Sequence, residues 1–317
     1  PVLIIAGNHD SADRLNYASS FLEKHNIYIS VYPPRNEDEH LKKVVLKDEY
    51  GAVNFYLLPF TKPGHVRQLF EEGSIASYDD AVKALIEREN IDYNERNVLV
   101  SHQFYVAGET TPETCESEQI YISVGGIDSV DISAVEKFDY VALGHLHGAQ
   151  SIGKKHIRYC GTPLKYSVSE EKHIKSITMV TLKEKGSDIG IETIPLMAYQ
   201  DVRSVKGTLR EIIAMATDEN RHDFISITLT DEEEIYKPKD QLEEHYDHIL
   251  EVKVDNSRTR SQLTDAYAEM TVLNPFDAFR QFYESMHGVP MSEGEEKIIL
   301  DVIKSLQEVR EDETYLY

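Results

Sequence analysis

Three short apolar runs in this chain each end in side chains that carry nitrogen or oxygen donors. Val2 to Ala6 runs into Gly7-Asn8-His9-Asp10, Val98 to Val100 into Ser101-His102, and Tyr140 to Leu143 into Gly144-His145-Leu146-His147. An apolar run of this kind reads as a buried strand, and a glycine at its end lets the backbone turn sharply. Residues two apart on a strand share a face, so His145 and His147 can point into one cleft. Three strand ends bearing such donors predict a metal centre, and no other feature constrains the fold as strongly.

Composition sets the limits. The 317 residues suffice for two or three domains. No apolar stretch approaches the roughly 20 residues that cross a bilayer, and nothing at the N-terminus resembles a signal peptide. The two cysteines, Cys115 and Cys160, have no CxxC spacing, which argues against a thiolate zinc scaffold and fits a cytoplasmic setting. A net charge of −23, from 56 acidic against 33 basic residues, repels nucleic acid at long range. Any action on DNA then needs metal ions, a local basic groove or a basic partner. The chain also begins with Pro1 at the edge of a core strand, which predicts further residues upstream.

Periodicity predicts a helix over Asp13 to Lys24, with Leu15, Ala18, Phe21 and Leu22 on one face and Ser11 or Asp13 as cap. A strand at Ile27 to Val31 follows, then a strand pair, Val44 to Leu46 and Val53 to Leu58, around Tyr50-Gly51. Helices are expected near His65 to Glu72 and Ser77 to Glu89. A polar segment, Gly108 to Glu118, reads as a long functional loop. Strands dominate from Tyr140 to Ile194, and this order predicts a layered α/β sandwich. Beyond Pro195, helices at Thr208 to Ala216 and Lys239 to Tyr246 alternate with strands at Phe224 to Leu229 and Ile249 to Val254, as in a small α+β domain. A polar linker, Asp255 to Asp265, leads to a helix at Phe276 to His287 and a last one at Glu295 to Glu308.

The candidate ligands are Asn8, His102, His145 and His147, because divalent ions such as Mn2+ accept imidazole and amide oxygen together. Each motif alone has a bland alternative. Asn, Gly and Asp are ordinary turn residues, and a His-x-His pair can arise by chance among 13 histidines. The three motifs in this order are far more specific than any one. Asn-His-Asp, a lone His, then Gly-His-x-His resembles the later part of the calcineurin-like metallophosphoesterase pattern. Ala6 to Ser11 with Arg14-Leu15, Tyr159-Cys160-Gly161-Thr162-Pro163-Leu164 and Ser169-Glu170-Glu171 resemble, within it, the SbcD-type nuclease subunits. The likeness covers nearly the whole chain.

The resemblance implies a four-layer α/β/β/α metallophosphoesterase sandwich, incomplete at its N-terminus, over residues 1–196. It further implies an α+β capping domain at 197–256, a linker at 257–273 and a C-terminal helical segment at 274–317. Asn8, His102 and His145 would ligate one ion and His147 the other, both most naturally Mn2+. His9 would serve the leaving oxygen, and Asp10 would orient His9 or cap the turn. The family's upstream Asp-x-His and Gly-Asp-x-x-Asp are absent; Asp38-Glu39-His40 is the only Asp-x-His and reads as a solvated turn. The chain therefore reads as an N-terminal truncation carrying half of a two-metal site, itself expected to be inactive.

Implied partners are DNA, a second copy of the chain through the helix at Asp13 to Lys24, and an SbcC-type ATPase with a coiled coil, in a heterotetramer. The ATPase would dock on Phe276, Phe279, Phe282 and Tyr283 and on the last helix. Lys62, His65 and Arg67, with Lys154, Lys155 and Arg158, are candidate phosphate contacts, although solvation suffices for each singly. The implied function is that of a nuclease cutting DNA ends and hairpins in repair, recombination and replication. The alternatives are a phosphoesterase acting on small phosphodiesters or phosphoproteins, and a catalytically dead scaffold.

Overall fold

A computed structural model describes residues 1–118, 129–260, 275–292, 294–300 and 302–303. Most of the expected linker and residues 304–308 of the expected last helix lie outside the described residues. The chain divides into two compact units, one comprising Pro1–Val205, Met215–Ile227 and Lys239–Glu251, the other Lys206–Ala214, Thr228–Pro238 and Val252–Tyr317.

In the first unit, β1 (Val2–Ile5) runs parallel to β2 (Ile27–Ser30) in a sheet of their own. Val2 is 51% exposed and residues 3–5 are half-buried, so the first apolar run is not the buried strand expected; Ala6 alone is buried. The predicted helix between them is two, α1 (Ala12–Asn16) and α2 (Ser19–Glu23), because Ala18 leaves the helical region at φ −116° and ψ 13°. A helix this short follows its packing rather than its propensity. Leu15 and Leu22 pack on Ala6, Ile29 and Val31, whereas Tyr17 and Phe21 face solvent. Ser11 stands at the cap position of α1 without a side-chain bond.

β3 (Lys42–Asp48) and β4 (Gly51–Leu58) form the expected hairpin, with Gly51 at φ +107° in its turn. The next helix stops early. α3 (Pro63–Val66) gives way to a single 3₁₀ turn and extended backbone at Phe70. α4 (Tyr78–Arg88) begins with a capping box in which the Ser77 hydroxyl accepts from Asp80 N and the Asp80 carboxylate accepts from Ser77 N. Such a cap contributes about 1 kcal/mol.

β5 (Arg96–His102), β6 (Phe104–Val106), β7 (Ser129–Asp131), β8 (Tyr140–Gly144), β9 (Gln150–Ile152) and β10 (Lys154–Tyr159) follow. The main sheet has the order β3-β4-β5-β8-β10-β9, and β4, β5, β8 and β10 are mutually parallel. Alternation along these strands sorts the core. Leu99, Val141 and Leu143 face Val82, Leu85 and Ile86 of α4, whereas Val98, Tyr140 and Ala142 face Val180 and Ile191. The latter pair belongs to an antiparallel hairpin, β11 (Ser176–Thr181) with β12 (Gly190–Pro195). Helix, sheet and hairpin thus stack as a mixed α/β unit.

Leu85 is fully buried. Leu85→Ala is expected to cost about 2–5 kcal/mol, depending on how far the site collapses; a denaturant midpoint unchanged from the parent would refute that packing. Tyr159, also fully buried, ties β10 to the segment after His102: its hydroxyl donates to Gln103 O (2.9 Å) and accepts from Tyr105 N (2.7 Å). Tyr159→Phe strands both groups and is expected to cost about 1–3 kcal/mol in chemical unfolding; a neutral result would show that they find other partners.

β13 (Val202–Gly207), β14 (Phe224–Leu229) and β15 (His248–Val254) form a three-stranded sheet, accompanied in sequence by α5 (Leu209–Met215) and α6 (Pro238–Glu243). Apolar patterning does not announce β13, whose only large apolar residues are Val202 and Val205. In the second unit the helix Pro275–His287 carries Phe279 and Phe282 with ring centres 6.3 Å apart, and Tyr283 OH donates to Glu295 Oε1 at 2.8 Å. Among the described residues no helix is long and apolar enough to cross a membrane.

Candidate metal centre

Parallel pairing decides what meets at the sheet edge. β5 and β8 run in register with His102 opposite Gly144, so the next residue, His145, emerges beside His102. The two imidazole centroids are 5.3 Å apart. Phe60 N donates to Ala6 O at 2.9 Å, which fastens the end of β1 to the segment after β4. Ligands near the carboxyl ends of parallel strands are the general rule for such sheets.

The glycines serve space more than turning. A β-carbon at Gly7 would lie 2.7 Å from His102 Cε1, and one at Gly144 would lie 2.8 Å from His102 Nδ1. The ring is held in a slot that only two glycines leave open. His102 Nε2 and Asn8 Oδ1 are 2.9 Å apart; amide oxygen is an acceptor, so without a metal Nε2 carries the proton, and binding an ion through Nε2 requires the tautomer protonated at Nδ1.

His145 has φ +102°, a left-handed conformation that costs a non-glycine residue roughly 1–3 kcal/mol and clusters at functional sites. His147 is held from behind. Its Nδ1 lies 3.0 Å from Glu170 Oε1 and 2.9 Å from Ser117 Oγ, and its backbone N donates to Glu118 Oε1 at 2.5 Å. Glu170 is fully buried, and its other oxygen accepts from Lys175 Nζ at 2.5 Å. That ammonium also donates to His147 O and to Thr162 Oγ1.

Asn8, His9, His102, His145, His147 and Glu118 all line one cavity of about 230 Å³. Asp10 caps the turn instead: its Oδ2 accepts from Gly7 N at 2.6 Å. A neighbouring cavity of about 520 Å³ shares Asn8, is lined also by Gly7 and Asp10, and carries Arg35, Lys62 and His65. The other candidate phosphate contacts are partly engaged elsewhere. Arg67 Nε donates to Ile75 O, Lys154 pairs with Glu136, and Arg158 donates to Ser151. Asp38-Glu39-His40 is a turn tied by Asn36, as expected.

Burial, reinforced by His145, pushes the His102 imidazole down to about 4. Burial lowers His145 as well, against the opposing pull of Glu118. Both rings are therefore neutral at pH 7. Burial alone would raise Glu170, but hydrogen bonds from Lys175, Ser117 and His147 outweigh it and hold the carboxyl at about 2. For His102 the folded value lies below the unfolded one near 6.5, so the unfolded chain takes up protons first. Stability of the metal-free protein is then full above pH 6.5 and falls as pH drops toward 4. Urea unfolding at pH 7, 5.5 and 4.5 checks this, and His102→Gln should flatten the trend; an equal slope in both proteins would contradict it. Glu170 acts at lower pH, where its contribution is lost from about 4.5 downward toward 2.

The donor set fits a divalent ion. Two neutral imidazoles and an amide oxygen suit borderline cations. A separation of 2.9 Å between Nε2 and Oδ1 matches neighbouring positions on an octahedral ion, roughly 3 Å apart for bonds of about 2.1 Å. Glu170 behind His147 is the carboxylate–histidine arrangement that orients ligands. Sequence reasoning missed Glu118, Glu170 and Lys175. Glu118 closes the polar segment expected to be functional, and Glu170 sits in a Ser-Glu-Glu string that carried the family likeness. Nothing in the sequence assigned either a position.

An α/β scaffold with amide and imidazole donors gathered at parallel strand ends defines a candidate metal centre. Comparison with known proteins narrows the class. Residues 198–287 match the family model SbcD_C, described as the type 5 capsule protein repressor C-terminal domain. The chain is 30% identical over 253 residues to the SbcD subunit of the nuclease SbcCD from Staphylococcus epidermidis, covering 79% of this chain and 64% of that protein. It is 28% identical over 311 residues to the corresponding SbcCD nuclease subunit of Staphylococcus saprophyticus, covering 97% of this chain and 79% of that protein. Over most of its length the chain is thus similar to SbcD nuclease subunits, and its C-terminal part matches the SbcD_C family model. It spans less than two thirds, 64%, of the length of the first of these relatives.

Proposed function

We propose that the chain carries part of the phosphodiester-cleaving centre of a metal-dependent DNA nuclease subunit. Asn8, His102 and His145 would hold one divalent ion and His147 a second, with Mn2+ the best-suited metal. Such ions supply charge neutralisation at phosphorus and at the leaving oxygen. The convergence of these four side chains and His9 on one cavity carries the reading. His9 donates a proton toward the leaving oxygen, Asp10 holds its turn, and Glu170 keeps the His147 ring oriented.

The substrate is DNA, cut at ends and hairpins by exonuclease and single-strand endonuclease action during repair, recombination and replication. Arg35 and Lys62 beside the centre supply local positive charge against a chain of net charge −23, whereas burial and Lys62 lower the His65 imidazole and keep it neutral at pH 7. Lys62→Ala is expected to weaken DNA binding uniformly across sequences and to lower the salt slope by about 1; an unchanged slope would remove Lys62 from the interface. A four-layer sandwich, a capping domain at 197–256 and a cytoplasmic setting complete the reading.

An SbcC-type ATPase with a coiled coil would dock on the helix Pro275–His287, where Phe282, Met286 and Val289 beyond it are exposed. A second copy would pair through α1 and α2, whose Tyr17 and Phe21 face solvent, giving a heterotetramer. The test is an assay with Mn2+, using protein expressed from its complete reading frame, on hairpin DNA and on bis-p-nitrophenyl phosphate. Hairpin cleavage that falls about 10²–10⁴-fold in His9→Ala supports the proposal. Activity confined to the small diester, or untouched by His9→Ala, overturns it.

A further inference from the structure

The loop before residue 119 brings a carboxylate to the wall of the same cavity and a thiol close beside it. One donor atom each from Cys115, Glu118 and His147 lie within 4.8 Å of one another. The local folding that achieves this is specific. Glu118 Oε2 accepts from Cys115 N at 2.9 Å and its Oε1 accepts from His147 N at 2.5 Å, so one carboxylate staples the loop to the segment after β8. Ser117 Oγ lies 3.1 Å from Cys115 Sγ and 2.9 Å from His147 Nδ1, and so fixes thiol and ring relative to each other.

Glu118 is only 9% exposed, and among the described residues no lysine or arginine pairs with it. A buried carboxylate without a cationic partner is costly, and a bound cation removes the cost. Its two backbone bonds leave further lone pairs on both oxygens.

We propose that Cys115, Glu118 and His147 form a three-ligand site for a thiophilic divalent ion such as Zn2+ or Co2+, with a fourth position open. Thiolate, carboxylate and imidazole together select these ions over Mn2+. Tetrahedral bonds of about 2.0–2.3 Å put such donors roughly 3.5 Å apart, so side-chain movement of about 1 Å closes the site. On binding, the Cys115 S–H bond breaks, its proton goes to solvent, and the sulfur–metal bond forms in its place. The site shares His147 with the centre proposed above but uses neither Asn8 nor His102. A zinc ion bound here therefore competes for His147.

Cobalt spectroscopy of the whole protein tests it. Co2+ is expected to produce a sulfur-to-cobalt charge-transfer band in the near ultraviolet. The band should persist in Cys160→Ser and His102→Ala, vanish in Cys115→Ser, and bleach when Zn2+ is added. Zn2+ affinity should fall at least about tenfold in Glu118→Gln. Cobalt uptake without a thiolate band in the unmutated protein overturns the proposal, whatever the variants do. So does a band that survives Cys115→Ser, or no cobalt uptake at all. Mn2+ binding that is lost in His102→Ala, beside an intact thiolate band, separates this site from the catalytic reading; loss of the thiolate band alone leaves that reading standing.

Discussion

Glu170→Ala is expected to destabilise the protein by about 3–5 kcal/mol, the range for breaking a buried ion pair from one side. The reason is what remains. Lys175 is 8% exposed and its ammonium would lose the carboxylate that pairs with it, while Ser117 and the His147 ring lose an acceptor. The same change frees the His147 ring, so affinity for the ion proposed for it should fall about 10–100-fold. Glu170→Gln keeps an oxygen near His147 but removes the charge opposite Lys175, so it should lose stability and retain more of the metal affinity. Equilibrium unfolding and a metal titration on both variants decide the matter. If Glu170→Ala unfolds within about 1 kcal/mol of the parent, the buried network is not what holds His147.

The second large effect concerns a methyl group. Gly144→Ala would set a β-carbon 2.8 Å from His102 Nδ1, and Gly7→Ala would set one 2.7 Å from Cε1 on the ring's other side. Contacts that close force the ring or a strand end to move, at about 1–3 kcal/mol for overpacking. The larger consequence is for binding: a displaced imidazole leaves Asn8 Oδ1 without its neighbour 2.9 Å away. Metal affinity should fall by at least about tenfold in either variant. Gly64→Ala, where a β-carbon meets nothing within 4 Å, is the control. Equal metal binding by Gly144→Ala and Gly64→Ala would mean that the slot around His102 plays no part in the site.

Much of this was legible in the sequence because the informative residues are local. Strand ends such as Gly144-His145-Leu146-His147 announce themselves by an apolar run that stops at polar donors, and the strands of the main sheet lie where alternation and apolar runs predicted. What escaped is what depends on packing across distance. Periodicity saw one helix over Asp13 to Lys24, yet a helix that short divides when its two contacts, Leu15 and Leu22, can be satisfied by separate turns. Val2 to Ala6 had the letters of a buried strand, but burial depends on what covers it, and Val2 is exposed. The role of Gly7 was read as turning, whereas the space demanded by His102, 95 residues later, is what excludes a side chain. Glu118 and Glu170 lay in segments the sequence singled out but carried no signal of their own roles, because an acidic residue in a polar loop looks solvated until its partners are known.

The direct test of the central claim is where a divalent ion sits. Crystals of the protein soaked in Mn2+ and measured at the manganese absorption edge would give an anomalous peak within about 2.0–2.3 Å of donor atoms from Asn8, His102 and His145. The strand-end account predicts that peak and its loss in His102→Ala. Manganese found only on the acidic surface, with the cavity beside His102 empty at saturating metal, would contradict it.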